Sequence, residues 1–241
     1  MFKCSALRQV ALATALTVTI GGMALSPAKA ATETWNFGQF VSPPNLGVTQ
    51  DYTSSPDGLT ATAAGFSSSA LDPNTAGAFS TPTALFGKNS GFQGGSLETG
   101  LGVAPAPGGP DSEILAGSSF IRVTLPTGVT GAQASMGSVT DGESWQIFGS
   151  TTGLAGSWIS VATGSDQNTL HPIQTGLCSA CTFFAFFATG VDSNGNTSDV
   201  LLSSIVAQFS AVPLPGALPL FATGMGLIGL LGMRRKRKTA G

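Results

Sequence analysis

TFFAFFAT, residues 182–189, decides the fold class of this 241-residue chain. Successive side chains of a β-strand point to opposite faces. Phe184 and Phe186 therefore share one face, and the residues at the alternate positions share the other. Both faces are apolar, which predicts a central strand that is covered on both sides. A buried Phe side chain contributes roughly 1.5–3 kcal/mol, so this strand is expected to anchor the core.

The partner that we predict for this strand is the stretch 200–212, where Ile205, Ala207 and Phe209 share one face. Asn194-Gly195 lies between the two stretches. Asn-Gly is the preferred type I′ turn because both central residues need positive φ. The pattern therefore predicts an antiparallel hairpin.

Other short runs with β-branched and aromatic residues are separated by turn residues, and no window carries a sustained helical stripe. Only 9% of residues are charged and 33 are Gly, against a charged share of about 25% and a Gly share of about 7% in average proteins. We predict an all-β fold, an antiparallel β-sandwich of jelly-roll type that spans residues 31–211. The other predicted strands are 34–41, 59–66, 120–125, 144–148 and 158–162.

Charge is distributed unevenly along the chain. All 12 acidic residues lie between Glu33 and Asp199, where the basic residues are Lys88 and Arg122, which gives the stretch 31–212 a net charge of −10. Such a surface repels phosphate backbones, so we expect no nucleic-acid partner for this part. The remaining basic residues lie at the two ends, a distribution typical of a chain divided by a membrane.

The front of the chain, residues 1–30, has the pattern of a secretory signal peptide. Lys3 and Arg8 precede an uncharged apolar run, and Ala28-Lys29-Ala30 supplies the small residues that signal peptidase reads. We predict cleavage between Ala30 and Ala31. An uncleaved membrane helix is the alternative.

The back of the chain contains 20 uncharged residues from Leu214 to Met233. At 1.5 Å per residue, such a helix matches a hydrocarbon core of about 30 Å. A basic tail follows, and positive charge stays on the cytoplasmic side of a membrane. We predict one transmembrane helix with the body outside; a buried soluble helix, the alternative, would have to bury the tail. The tail residues are Arg234, Arg235, Lys236, Arg237 and Lys238.

The motif before this helix carries a resemblance. The motif consists of Val212, Pro213, Leu214 and Pro215, and a glycine-rich apolar helix and a basic cluster follow it. Together these three parts resemble the PEP-CTERM class of sorting signals, and more narrowly its Val-Pro-Leu-Pro-Ala variant. Gly216 stands where that variant usually has Ala. The resemblance covers residues 212–241. It implies an exosortase, a membrane-embedded enzyme of exopolysaccharide-producing Gram-negative bacteria, as a processing partner.

The motif also has a physical interpretation. Its prolines lack the backbone N–H donor and hold the chain extended, the conformation in which proteases bind their substrates. We therefore expect a cut within or beside residues 212–215, after which the helix is discarded.

Cys178 and Cys181 form the one paired thiol motif of the chain. An exported protein meets an oxidising compartment, so we predict a structural disulfide. Free thiols, a redox pair and a metal site are the alternatives; a redox pair needs a thioredoxin-like context, and structural zinc needs four ligands.

The segment 192–199 presents side-chain oxygen atoms at spacings that allow a loop to wrap a calcium ion. These atoms belong to Asp192, Asn194, Asn196 and Asp199. The same residues are those that a tight turn needs. We predict a simple turn, with calcium as the weaker alternative.

No catalytic residue or cofactor is predicted. His171 is the sole histidine, and no G-x-S-x-G elbow accompanies it. The acid pairs Asp111/Glu113 and Asp141/Glu143 would suit a glycosidase only if two carboxyl groups lay roughly 5–9.5 Å apart. Exposed acids on turns explain them more simply.

The sequence thus predicts a non-enzymatic exported protein, anchored in the inner membrane until an exosortase releases it to the cell surface or matrix. Exopolysaccharide is a candidate ligand there. A carbohydrate-binding module is the alternative, because aromatic rings can stack on sugars, and a secreted hydrolase is a weaker one. The aromatic residues concerned are Trp35, Tyr52, Trp145 and Trp158.

Overall fold

A computed structural model describes residues 31–38, 45–88, 99–103, 113–140 and 142–210. Within these ranges, 14 strands form two antiparallel sheets, which confirms the all-β prediction. The described helical structure is one 3-10 turn at Gly176–Cys178, and none of it is long and apolar enough to cross a bilayer. The predicted signal peptide, the predicted sorting motif 212–215, the predicted transmembrane helix and the basic tail lie outside the described residues.

The first sheet, sheet A, has the order β12-β9-β14-β6-β5, with β1 and β7 also pairing with β14. Its strands are β1 (Thr32–Asn36), β5 (Leu85–Lys88), β6 (Gly100–Val103), β7 (Ile114–Leu115), β9 (Val129–Gly137), β12 (His171–Pro172) and β14 (Asp199–Phe209).

The second sheet, sheet B, has the order β11-β10-β13-β8-β3-β2, with β4 pairing with β3. Its strands are β2 (Thr49–Thr53), β3 (Thr60–Ser67), β4 (Pro82–Thr83), β8 (Ser119–Thr124), β10 (Ser144–Ser150), β11 (Ile159–Gly164) and β13 (Phe183–Thr189).

Strand β13 is central and covered on both faces, as its sequence predicts. It pairs with β10 on one edge and with β8 on the other. Phe184 and Phe186 point into the main core between the sheets. Ala185 and Phe187 belong to a second apolar cluster on the outer face of sheet B.

The predicted hairpin between β13 and the last strand is wrong. Strand β14 lies in sheet A, where β9 pairs along one edge and β1, β6 and β7 share the other. Asn194-Gly195 is a turn inside the crossover between the sheets, closed by the bond from Gly195 N to Asp192 O at 3.1 Å. This bond makes Ser193 and Asn194 the central residues of the turn, and neither has positive φ, so the turn is not of type I′.

A strap, defined as residues 68–81 between β3 and β4, covers the outer cluster. Phe79 of the strap stacks on Trp158 with ring centroids 5.4 Å apart. Asn74 holds the strap to the start of β11, because its side chain accepts a bond from Trp158 N at 3.0 Å and donates one to Trp158 O at 2.9 Å. The Arg122 guanidinium lies over the rings of Phe66 and Phe79.

Strand β1 joins the two sheets at one edge. Trp35, fully buried, donates from Nε1 to Leu59 O at 3.0 Å, and the buried Glu33 accepts bonds from Ser54 Oγ and the Asp57 N–H. These contacts fasten the turn after β2 in sheet B to the first strand of sheet A.

Candidate functional site

Three carboxyl groups and one lysine meet in the interior where strands of both sheets begin or end. Lys88 closes β5, Glu113 precedes β7, Glu143 precedes β10 and Asp199 opens β14. The exposed fractions of Lys88, Glu113 and Glu143 are 6%, 3% and 6%. Burial this deep is rare for charged residues unless they are paired.

The pairing is specific on the Glu113 side of this carboxyl cluster. Lys88 Nζ lies 2.5 Å from Glu113 Oε1, and Ser138 Oγ donates to the same oxygen at 3.1 Å. An ion pair at this distance, supported by a hydroxyl donor, offsets part of the cost of removing both charges from water.

Glu143 is held by backbone donors. Thr140 N donates to Glu143 Oε2 at 2.8 Å, and Asp199 N donates to Glu143 Oε1 at 3.2 Å. These bonds join the start of sheet B strand β10 to the start of sheet A strand β14.

Asp199 lies within hydrogen-bonding reach of the two glutamates. Burial, together with hydrogen bonds to Glu143 and Glu113, raises the pKa of the Asp199 carboxyl to about 9. Two carboxylates cannot hydrogen-bond to each other without a proton between them. Asp199 is therefore neutral at pH 7 and acts as a donor, which limits the like-charge repulsion in the cluster.

The acid pairs considered for hydrolysis have a different environment from the one we expected. Glu113 and Glu143 are buried rather than exposed on turns, so the expectation of solvated acids is wrong for these two. A glycosidase needs one acid and one base that reach substrate, whereas these carboxyl groups are bonded to Lys88, Ser138 and Asp199. Asp111 and Asp141 lie outside the described residues.

The structure does not bring the four calcium candidates together. Asp192 Oδ1 accepts bonds from Asn194 N at 2.9 Å and Asn196 N at 2.7 Å, and its Oδ2 accepts one from Asn196 Nδ2 at 3.0 Å. Asp199 instead joins the carboxyl cluster. No group of three or more His, Cys, Asp or Glu side chains in the described ranges is arranged to hold a metal ion.

His171 belongs to a structural pair. Its Nε2 lies 2.9 Å from Asp166 Oδ2, and its ring packs against the edge of Trp145 at 4.7 Å between centroids. Across the described part of the chain, no serine or threonine hydroxyl is hydrogen-bonded to His171, so the histidine and the aspartate lack the nucleophile of a hydrolytic triad.

The aromatic residues considered for sugar stacking have their rings inside the protein. The exposed fractions of Trp35, Trp145 and Trp158 are 0%, 1% and 4%, and Tyr52 packs edge-on against Phe37. Stacking on a sugar ring needs an open aromatic face, which the three tryptophans do not offer.

Cys178 and Cys181 form the predicted disulfide, with Cα atoms 5.1 Å apart. The bridge packs on Gly149 of β10. Gln174 holds the adjoining loop, because its side-chain amide donates to Cys181 O at 2.9 Å and to Val129 O at 3.3 Å. The setting is a loop entering a strand, which suits a structural rather than a redox bridge.

Sequence reasoning missed a hydroxyl-lined groove of about 560 Å³ on the strap. Ser67, Ser69, Thr75, Ser80 and Thr81 line it. A run of small polar residues is typical of any solvated loop, so the sequence carried no signal for a groove.

No family model, curated protein or solved structure matches this chain.

Proposed function

We propose that this chain is an exported, non-enzymatic surface or matrix protein that an exosortase sorts and cleaves. Signal peptidase first removes residues 1–30. The sandwich, of jelly-roll type, then stays at the inner membrane through residues 214–233 until cleavage near Val212-Pro213-Leu214-Pro215 releases it to the cell surface or matrix. Chain segments that pass repeatedly between the two sheets, as from β8 to β9 and from β13 to β14, support the jelly-roll description.

The observation that carries this proposal is where the last strand ends. Strand β14 ends at Phe209, whose N–H bonds to Ala31 O at 2.9 Å, and Ser210 N bonds to Gly128 O at 3.3 Å. The motif begins two residues later, at Val212. The last described strand therefore ends three residues before the motif, and Phe209 bonds to the first residue after the predicted signal cleavage site.

The described polar groups support a non-enzymatic role. Glu113 and Glu143 are buried and paired, and His171 bonds to Asp166 without a hydroxyl nucleophile among its partners in the described ranges. The chain is then cargo, and exopolysaccharide is the expected environment of the released body.

Mass spectrometry of membrane and released fractions tests this function. In a host with active exosortase, we expect a membrane form that begins at Ala31 and a released form that ends near Val212. Replacing Pro213 and Pro215 by alanine should retain the protein in the membrane, whereas the matched variant Pro219→Ala should be released normally. A released form that still carries residues 234–238 would contradict the proposal.

A carbohydrate-binding role is the second candidate, and the groove on the strap is the observation that favours it. Hydroxyl groups can hydrogen-bond to sugars without an aromatic platform. Pull-down with exopolysaccharide, using wild-type protein and a Ser69→Leu/Ser80→Leu variant, tests this role. Equal capture of the two proteins would remove the groove as the binding site.

A further inference from the structure

Three loops at one end of the sandwich carry no charged side chain. We define the uncharged end as residues 125–128, 151–157 and 173–182 together with Ser210, none of which is Asp, Glu, Lys, Arg or His. This is notable in a stretch whose net charge is −10. Several acidic residues lie instead at the opposite end of the strands, among them Glu113, Glu143, Asp166, Asp192 and Asp199.

Direct contacts place these segments together. Ser210 N bonds to Gly128 O at 3.3 Å, and Leu125 N bonds to Thr182 O at 2.8 Å. The Gln174 side chain bridges from Val129 to the disulfide loop.

The loop 151–157 adjoins the same surface. Thr182 N bonds to Ser150 O at 3.2 Å, and a Cβ atom on Gly153 would lie 3.0 Å from the Phe183 ring. Both sheets therefore contribute to the uncharged end.

The uncharged end presents two of the most exposed large apolar side chains among the described residues. Leu177 is 94% exposed and Leu154 is 68% exposed. Leu177 sits in the 3-10 turn that the disulfide closes, so the bridge fixes the loop that displays it. Such exposure has a solvation cost unless another apolar phase receives the side chain.

The length of chain after the body limits its distance from the predicted membrane segment. Leu214 is four positions after Ser210, and even a fully extended chain spans at most about 14 Å over four positions. The headgroup layer on each side of a bilayer is roughly 5–8 Å thick. The uncharged end is therefore close enough to touch the bilayer when residues 214–233 span it.

We propose that, in the membrane-anchored form, the uncharged end lies against the lipid surface with Leu177 and Leu154 inserted between headgroups. This inference rests on the proposed function, because it needs residues 214–233 to anchor the chain in the membrane. Apolar side chains gain free energy on entering the interface. Anionic headgroups repel the acidic opposite end, which favours the same orientation. Asp57, an exposed carboxylate, lies on the turn after β2 at the same end of the strands and sets a limit to the contact area.

Quenching of introduced tryptophans by brominated lipids tests the orientation. The full chain is reconstituted in vesicles of phosphatidylethanolamine and phosphatidylglycerol that contain a brominated lipid. Leu177→Trp and Leu154→Trp report on the uncharged end. Val191→Trp is the matched control, because Val191 is 60% exposed on the crossover turn at the opposite end. The native tryptophans are at most 4% exposed and supply a constant background.

We expect quenching at positions 177 and 154 to be several times that at position 191. Equal quenching at the three positions, in a chain that floats with the vesicles, would overturn the orientation and leave the anchor intact. A chain that does not float would overturn both the anchor and the orientation. Hydrogen exchange of the unsubstituted chain gives an independent measurement. The amides of residues 173–182 should exchange more slowly in vesicles than in the released form, whereas those of residues 191–197 should exchange equally in both.

Discussion

Lys88 Nζ lies 2.5 Å from Glu113 Oε1, and the two side chains are 8% and 3% exposed. Among the described residues, Lys88 is the one cationic side chain in the cluster of three carboxyl groups. A buried ion pair adds little net stability relative to an apolar pair, but the loss of one partner leaves an unpaired buried charge.

The first prediction follows from this asymmetry. Lys88→Met should lower the free energy of unfolding by about 3–5 kcal/mol, because it leaves Glu113 without its cation. Adding Glu113→Gln should restore much of the loss, because the double variant buries no unpaired charge at this pair. Urea unfolding followed by tryptophan fluorescence measures both. A double variant that is less stable than Lys88→Met alone would show that the pair is not the main source of the effect.

The second prediction concerns pH and Asp199. Its pKa is raised from 3.8 to about 9 in the folded state, so between these values the folded chain keeps a proton that the unfolded chain releases. The contribution of Asp199 to the stability must then fall as pH rises from about 4 to about 9. Asp199→Asn removes this dependence and keeps a donor for the glutamates, so the variant should gain stability relative to the parent as pH rises. Partial exposure of Asp199 reduces the size of the gain.

Thermal unfolding at a series of pH values, compared between Asp199→Asn and the parent, measures that difference. Asp57→Asn, which neutralises an exposed carboxylate on a turn, is the matched control for the loss of one acidic side chain. A profile for Asp199→Asn that runs parallel to that of the parent would show that Asp199 is not the group that holds the proton.

The strands that the sequence predicted are those whose side chains carry a strong pattern. The aromatic run of β13 has two apolar faces, and both are buried. Strand β9 escaped prediction because Val129–Gly137 is mostly Gly, Ala and Ser, residues with low strand preference. Its small residues serve close packing instead: Ser135 Oγ lies 2.8 Å from Ser204 Oγ of β14, and a Cβ atom on Gly137 would lie 3.1 Å from Thr99 O.

The carboxyl cluster shows the limit of reading a site from spacing. Glu113, Glu143 and Asp199 are distant in the chain and belong to three different turns or strand starts, so no local pattern joins them. They meet because β14 joins sheet A instead of pairing with β13 in sheet B. The sheet that a strand joins depends on where its side chains are buried, which is a property of the whole fold. The disulfide was predictable because its two cysteines are only three positions apart, and local geometry alone allows the bond.

The third prediction tests the strap. Asn74→Ala removes two hydrogen bonds to the backbone of Trp158 and should destabilise the strap by about 1–3 kcal/mol. Asn74→Asp keeps the acceptor but sets a carboxylate oxygen against Trp158 O in place of the donor, so it should not hold the strap better than Asn74→Ala. Limited proteolysis within 68–81 measures the release, with Thr75→Ala, an exposed neighbour, as the control. Cleavage rates that are the same for all four proteins would mean that the aromatic contacts of Phe79 hold the strap without Asn74.

The fourth prediction concerns the packing of the disulfide on β10. A Cβ atom on Gly149 would overlap Cys178 Sγ and lie 3.3 Å from Cys181 Sγ, so Gly149→Ala should cost about 1–3 kcal/mol through overpacking. Gly131→Ala is the matched control, because the nearest atom to its Cβ is 3.8 Å away and Gly131 also lies in a strand. The control should be neutral or slightly stabilising, since alanine loses less backbone entropy than glycine on folding. In a background with Cys178→Ala and Cys181→Ala the sulfur atoms are gone, and Gly149→Ala should cost much less, a coupling that urea unfolding of the four proteins measures. An equal cost in both backgrounds would mean that the backbone of β10, and not the bridge, excludes the methyl group.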